Sequence, residues 1–190
     1  NRIPHLVYIT SDKCYLNLDR NKNFKETDNL GGIDNYSSSK ASAELIFSSY
    51  YESYFSNSKY LSIASARAGN VIGGGDMKEN RIVPDIIKAL HKNKKLNLRN
   101  PQATRPWQHV LEPLFGYLLL GNHLLEKNIS SKVLPSWNFG PKPHNCKKVF
   151  NIVKLIEKLW NEKKLRLKIL KNKSYHETYL LSLNINKAKR

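Results

Sequence analysis

The chain has 190 residues, 40% of them hydrophobic and 25% charged, enough to bury a core and typical of an ordinary soluble domain. No apolar run approaches the ~20 residues that cross a bilayer; the stretch at 114–125 is too short and holds Asn122 and His123. The two cysteines, Cys14 and Cys146, lie far apart, which excludes a disulfide framework or a cysteine-built zinc site and makes a cytoplasmic protein the simplest reading. The net charge of +17, from 32 Lys and Arg against 15 Asp and Glu, raises nucleic-acid binding. Against it, the lysines are scattered, the densest stretch (142–173) is mixed with an apolar helical pattern, and no RNA-binding or DNA-reading motif is present. A solvated basic surface, or a field that draws a nucleotide diphosphate, accounts for the charge better. Neither nucleic acid nor membrane is expected as a partner.

The first element is a strand at 5–10, running into the polar Ser11-Asp12-Lys13, and this opening is expected to be a strand rather than a signal peptide. A loop with Gly31-Gly32 leads to a helix at 36–55 with Ala41, Leu45 and Ile46 on one side. A strand at 60–66 enters the Gly-rich loop 68–75, and a helix follows at 82–91, with Pro84 in its first turn. Short strands are expected at 96–99 and ending at 110–111, then an apolar helix from Pro113 to about 127. A strand at 136–139, an amphipathic helix at 149–160 and an alternating strand at 165–170 complete the order. This alternation predicts an α/β fold with a parallel sheet, and the shorter later elements form a small lobe beside it. The expected division is 1–75 for the sheet carrying the chemistry, and 76–190 for a mainly substrate-binding lobe interleaved with returning sheet elements. The chain opens directly on a core strand, lacks a Gly-x-x-Gly-x-x-Gly strand–turn–helix unit and stops at Lys187–Arg190 inside an expected helix. It therefore reads as part of a longer protein, aggregation-prone at its open sheet edges.

Tyr36-Ser-Ser-Ser-Lys40 sets a phenol and an ammonium one helical turn apart on the same face. A free phenol ionises near pH ~10, so acid–base work near neutrality needs cations beside it. One ammonium is barely enough, and an oxidised nicotinamide would supply the second positive charge. Alone, the spacing is weak evidence, since a surface Tyr–Lys pair is common. Its place one loop after a strand ending in Ser11-Asp12-Lys13 strengthens it, because ligands of open α/β sheets gather at carboxyl ends of strands.

The segments Thr10-Ser-Asp-Lys-Cys-Tyr15, Tyr36–Lys40, Ala66-Arg-Ala-Gly-Asn-Val-Ile-Gly-Gly-Gly-Asp76, Arg81-Ile-Val-Pro-Asp85 and Arg105-Pro-Trp-Gln-His-Val-Leu-Glu-Pro113 carry a specific resemblance. Trp137-Asn-Phe-Gly-Pro141 and His176-Glu177 continue it. The chain resembles the sugar-nucleotide dehydratase branch of the extended short-chain dehydrogenase/reductase family. That resemblance implies a partial Rossmann-type parallel sheet, NAD as cofactor, CDP-glucose as substrate and a homodimer. The implied reaction moves hydride from C4 of the sugar, eliminates water across C5 and C6, and returns the hydride to C6, in deoxysugar supply of the O-antigen type.

By the same resemblance Tyr36 takes the C4 hydroxyl proton, Lys40 supports it and holds the cofactor ribose, and Ser11 bonds the C4 oxygen. Asp12 protonates the departing C6 hydroxyl, which requires a neutral acid. Lys13 occupies a slot that holds glutamate in dTDP-glucose relatives; it is either the C5 base, an electrostatic stabiliser of the C5 carbanion, or an outward lysine. Gly69 and Val71, with Tyr36 and Lys40, are implied at the cofactor, and Asn70, Arg81, Arg99, Arg105 and His176 at the nucleotide sugar. Trp107 and Trp137 read mainly as packing. The rivals are a nucleotide-sugar epimerase or decarboxylase, which does not need the Asp12–Lys13 pair, and a non-catalytic basic binding module. The 190 residues alone, without a phosphate-binding turn, are expected neither to hold NAD nor to turn over.

Overall fold

The computed structural model describes residues 5–18, 22–160, 164–170 and 180–190. In chain order, β1 (Leu6–Ile9) leads through a 3₁₀ turn (Asp12–Cys14) to α1 (Asn35–Tyr54), β2 (Ile63–Ala68), β3 (Val71–Ile72) and α2 (Ile82–His91). Then come β4 (Leu96–Leu98), β5 (Thr104–Arg105), β6 (Gln108–His109) and α3 (Leu111–Leu125). The chain continues through β7 (Ser136–Phe139), β8 (Lys147–Lys148), α4 (Val149–Leu159) and β9 (Leu167–Ile169).

The expected α/β fold is present. A parallel sheet runs in the order β1-β2-β7, in register from Leu6 opposite Ile63 and from Ser65 opposite Ser136. Its central strand, β2, is buried at every residue, as a parallel strand covered on both faces must be. Phe47 and Tyr51 of α1 meet Leu120 and Leu124 of α3 in one apolar cluster with Ile63, Ala64 and Trp137. A second cluster joins Ile86 and Leu90 of α2 to Leu96, Leu98 and Val153, around the parallel pair β4–β9. β3–β6 and β5–β8 are two-residue pairs linking these parts.

Four expectations need correction. The inward face of α1 carries Ser37, Ala41, Glu44, Phe47 and Tyr51; Leu45 and Ile46 are 58% and 59% exposed, because the helix turns its mixed polar–aromatic stripe to the sheet. The second strand starts at Ile63, since Tyr60 instead bridges Ser130. The strand expected to end at 110–111 ends at His109, where Val110 N–H closes the ladder on the Ile72 carbonyl and α3 begins; Pro113 sits in its first turn, where its missing N–H is harmless. The last residues form a turn rather than a helix. There Asn186 N–H donates to Asn184 Oδ1, and Lys187 Nζ reaches the Ser136 carbonyl at 2.7 Å over the Trp137 ring.

Candidate active site

β1 ends at Ile9, and after Thr10 Ser11 caps the 3₁₀ turn by accepting Lys13 N–H at 3.2 Å. This presents Ser11, Asp12 and Lys13 at the carboxyl end of the sheet. The Ser11 hydroxyl donates to Asp12 Oδ1 at 3.2 Å, whereas Asp12 Oδ2 is buried and has no hydrogen-bond partner among the described residues. Asp12 is 3% exposed. Burial pushes its carboxyl up from 3.8 to about 6, against the opposing Lys13 charge, the Ser11 hydrogen bond and the Arg105 charge. A carboxyl so placed keeps its proton up to about pH 6 and holds it in roughly a tenth of molecules at pH 7, far more than an ordinary aspartate does.

α1 begins beside this turn because Asp34 caps it, accepting Ser37 N–H at 3.0 Å and the Ser37 hydroxyl at 2.6 Å. Gly32 permits the approach: a Cβ there would lie 2.3 Å from Ser38 N. Tyr36 stands in the first turn, 55% exposed, and Lys40 Nζ lies 5.6 Å from its ring centroid.

A cleft of about 1250 Å³ opens over the sheet end. Ser11, Asp12, Lys13, Tyr36, Gly69, Asn70, Val71, Arg81, Arg99 and Arg105 all line it, whereas Lys40 is outside its wall, over the Tyr36 ring. His176 lies outside the described residues. Arg81 precedes α2 and pairs loosely with Asp76 at 3.3 Å, Arg99 follows β4, and Arg105 is buried on β5 with a bond to the Thr104 carbonyl. Trp107 also reaches the cleft, its indole N–H held by the Lys147 carbonyl at 2.9 Å, while Trp137 is buried in the sheet core. Lys13, Arg81, Lys88, Lys92, Arg99 and Arg105 face only Asp12, Asp76 and Asp85 in this lining, an excess of positive charge suited to a diphosphate. A smaller pocket of about 210 Å³, between Leu16, Lys22 and Phe24, contains none of these residues. Among the described residues no cluster of His, Cys, Asp or Glu is placed to hold a metal ion, and no helix is long and apolar enough to cross a membrane.

Sequence reasoning missed the layer beneath the cleft. Arg67 of β2 and Glu44 of α1 form a buried pair at 2.7 Å. Glu44 also receives the hydroxyls of Thr10 and Ser65, and Arg67 donates to Tyr15 Oη at 2.9 Å. The Tyr15 hydroxyl in turn donates to Asn138 Oδ1 at 2.6 Å. Thr10 and Tyr15 flank the turn that carries Ser11, Asp12 and Lys13, and Glu44 lies one turn beyond Lys40, so this network fixes the turn against the Tyr36 helix. Its signal was Arg67 itself: a charge inside a strand as apolar as Ile63–Ala68 has to find an opposite charge. Tyr117 of α3 was also missed; it lines the cleft, packs edge-on against Phe139, and is pushed up to about 12 by burial and then by the Asp12 charge. Burial likewise pushes the Cys14 thiol up to about 12, which leaves it no part as a nucleophile.

The family model described as NAD dependent epimerase/dehydratase family matches residues 1–130. The chain is 41% identical to CDP-glucose 4,6-dehydratase of Salmonella typhimurium over 190 residues, covering 98% of this chain and 52% of that protein. Its structure superimposes on dTDP-glucose 4,6-dehydratase of Bacillus anthracis in complex with NAD, with a TM-score of 0.78 and 25% identity, covering 97% of this chain and 54% of that one. UDP-glucuronic acid 4-epimerase of Bacillus cereus shares the fold, with a TM-score of 0.83, 18% identity and coverage of 100% and 55%. The chain thus spans about half the length of these relatives.

Proposed function

Since the chain belongs to the NAD dependent epimerase/dehydratase family, we propose that it is the catalytic and substrate-binding part of a hydro-lyase that converts CDP-glucose to CDP-4-keto-6-deoxyglucose. In this reading residues 1–75 carry the acid–base groups and residues 76–190 mainly hold the nucleotide sugar. One observation carries the choice of dehydratase over epimerase: a buried, dehydrated Asp12 carboxyl stands in the same cleft as Tyr36. Epimerisation at C4 needs no acid for a leaving group at C6, whereas elimination of water does. The choice of CDP rests on the 41% identity to the Salmonella enzyme.

The donor set fits a nicotinamide: a cation sits over the Tyr36 ring, and Val71 and Ile9 offer exposed apolar surface beside Gly69 at the cleft. Tyr36, Lys40, Gly69 and Val71 would hold that end of NAD. Held there, NAD would supply the acceptor for the C4 hydride and its donor to C6. Ser11 orients the C4 oxygen and Tyr36 takes its proton, with the Lys40 ammonium stabilising the phenolate. The resulting ketone acidifies the C5 proton. Lys13 either removes that proton, and gives it back to C5 once hydride has reached C6, or stabilises the charge left while water carries the proton away and returns it; Asp12 protonates the departing C6 hydroxyl so that it leaves as water. Arg81, Arg99 and Arg105 grip the diphosphate and base, and Asn70 reaches the sugar.

The test is the intact enzyme with CDP-glucose and NAD. The expected product is a keto sugar whose enolate absorbs strongly in alkali, and Tyr36→Phe lowers its formation ~100-fold or more. A product epimeric at C4 with no alkaline absorbance, or an undiminished Tyr36→Phe enzyme, overturns the reading. The same reading makes the enzyme a homodimer, for which α1 offers exposed Leu45, Ile46, Tyr50 and Tyr54; its mass in solution tests this.

A further inference from the structure

We propose that Gly69 and Pro106 are positioning residues, a dry wall that holds the Asp12 carboxyl in its neutral, proton-donating form. The inference rests on the reading of Asp12 as the acid. A Cβ on Gly69 would lie 2.4 Å from Pro106 Cγ and 2.9 Å from Asp12 Oδ2. The space a side chain would take at position 69 is therefore already filled by a pyrrolidine ring and a carboxyl oxygen. Pro106 is fully buried. Neither the Gly69 α-carbon nor the Pro106 ring can donate a hydrogen bond, and Oδ2 has no partner among the described residues. An ionised carboxylate spreads its charge over both oxygens and needs donors on each; a neutral carboxyl does not. The wall penalises only the charged form.

The other groups facing Asp12 do not produce this bias. Lys13 on its own turn and Arg105 on β5 both favour ionisation, and Cys14, Cys146 and Tyr117 face it as neutral groups. Dehydration outweighs the two cations, leaving the carboxyl at about 6. Gly69 is thus required for what Asp12 does, in addition to any contact it makes with a cofactor.

The experiment is a swap of one carbon between the two positions in the intact enzyme, read by carbon-13 titration of the Asp12 carboxyl and by the alkaline limb of kcat/KM. Pro106→Ala removes the ring and admits water to Oδ2, so the Asp12 midpoint falls by ~1 pH unit and the alkaline limb moves with it, about tenfold less activity on that limb. Gly69→Ala alone collides with both neighbours and loses activity. Gly69→Ala combined with Pro106→Ala relieves the collision with the ring and sets a methyl 2.4 Å from the place of Pro106 Cγ and tight against Oδ2, which has to give slightly, so the midpoint returns towards that of the parent. A folded Pro106→Ala enzyme with the parental midpoint overturns the wall. If that variant does not fold, Pro106→Ser decides, because it sets a hydroxyl donor in the wall: an Asp12 midpoint below the parent's supports the wall, and the parental midpoint overturns it. Full turnover by Asp12→Asn would instead remove the acid assignment while leaving the titration result standing.

Discussion

Glu44–Arg67 beneath the cleft and Asp76–Arg81 at its rim are both carboxylate–guanidinium pairs, at 2.7 and 3.3 Å. Their surroundings differ completely. The Glu44 and Arg67 side chains are 1% and 4% exposed, with both carboxylate oxygens bonded; the Arg81 side chain is 56% exposed. A pair taken out of water is committed: each partner is needed to neutralise the other, and so it fixes the elements that carry it. A pair at the rim stays hydrated and exchangeable, so its arginine remains free to leave Asp76 for a phosphate. In the proposed reading, the reacting end of the cleft rests on a pair of the first kind, and Arg81 meets the nucleotide sugar from a pair of the second.

Breaking the buried pair gives the largest effect. Arg67→Met strands the Glu44 carboxylate and lowers stability by about 3–5 kcal/mol in a denaturant titration, and adding Glu44→Leu recovers most of that loss. A loss no greater than that at the rim would erase the contrast. Next is Asp12. Its folded value of about 6 lies above the ordinary 3.8, so the folded state holds the proton more tightly. The stability this contributes is complete below pH ~4 and is lost as pH rises through about 6. Asp12→Asn is therefore expected to be more stable than the parent at pH 8, by up to about 3 kcal/mol, while turnover falls ~100-fold or more. An asparagine variant less stable than the parent at pH 8 would show that the buried carboxyl carries no such strain. Smaller again, Arg81→Ala or Arg99→Ala raises KM for the nucleotide sugar ~10–100-fold with kcat little changed, since these groups bind substrate and transition state alike. Last, Asp76→Asn shifts stability by less than about 1 kcal/mol, and the shift fades in high salt.

Much of the reacting end was legible in the residue order. Tyr36 and Lys40 share a helix face because four residues span one turn, and Ser11, Asp12 and Lys13 fall at a strand end because Leu6–Ile9 is apolar and they are not. What failed was local patterning where the local signal is ambiguous. Leu45 and Ile46 look like a core stripe on α1, but Ala41, Glu44 and Phe47 take that side because Arg67 and Ser65 on the strand below require Glu44. Tyr60 reads as strand, yet its backbone finds Ser130 before the sheet begins.

The sequence by itself determined the alternation of strands and helices, the Tyr36–Lys40 spacing and the polar trio after the first strand, because helical and extended periods are properties of neighbouring residues. Only the tertiary structure decided that Asp12 is dry, that Gly69 lies between its carboxyl and the Pro106 ring, and that Arg67 finds Glu44. Burial and its electrostatic consequences arise where segments tens of residues apart meet, and no window along the chain contains both sides of such a contact.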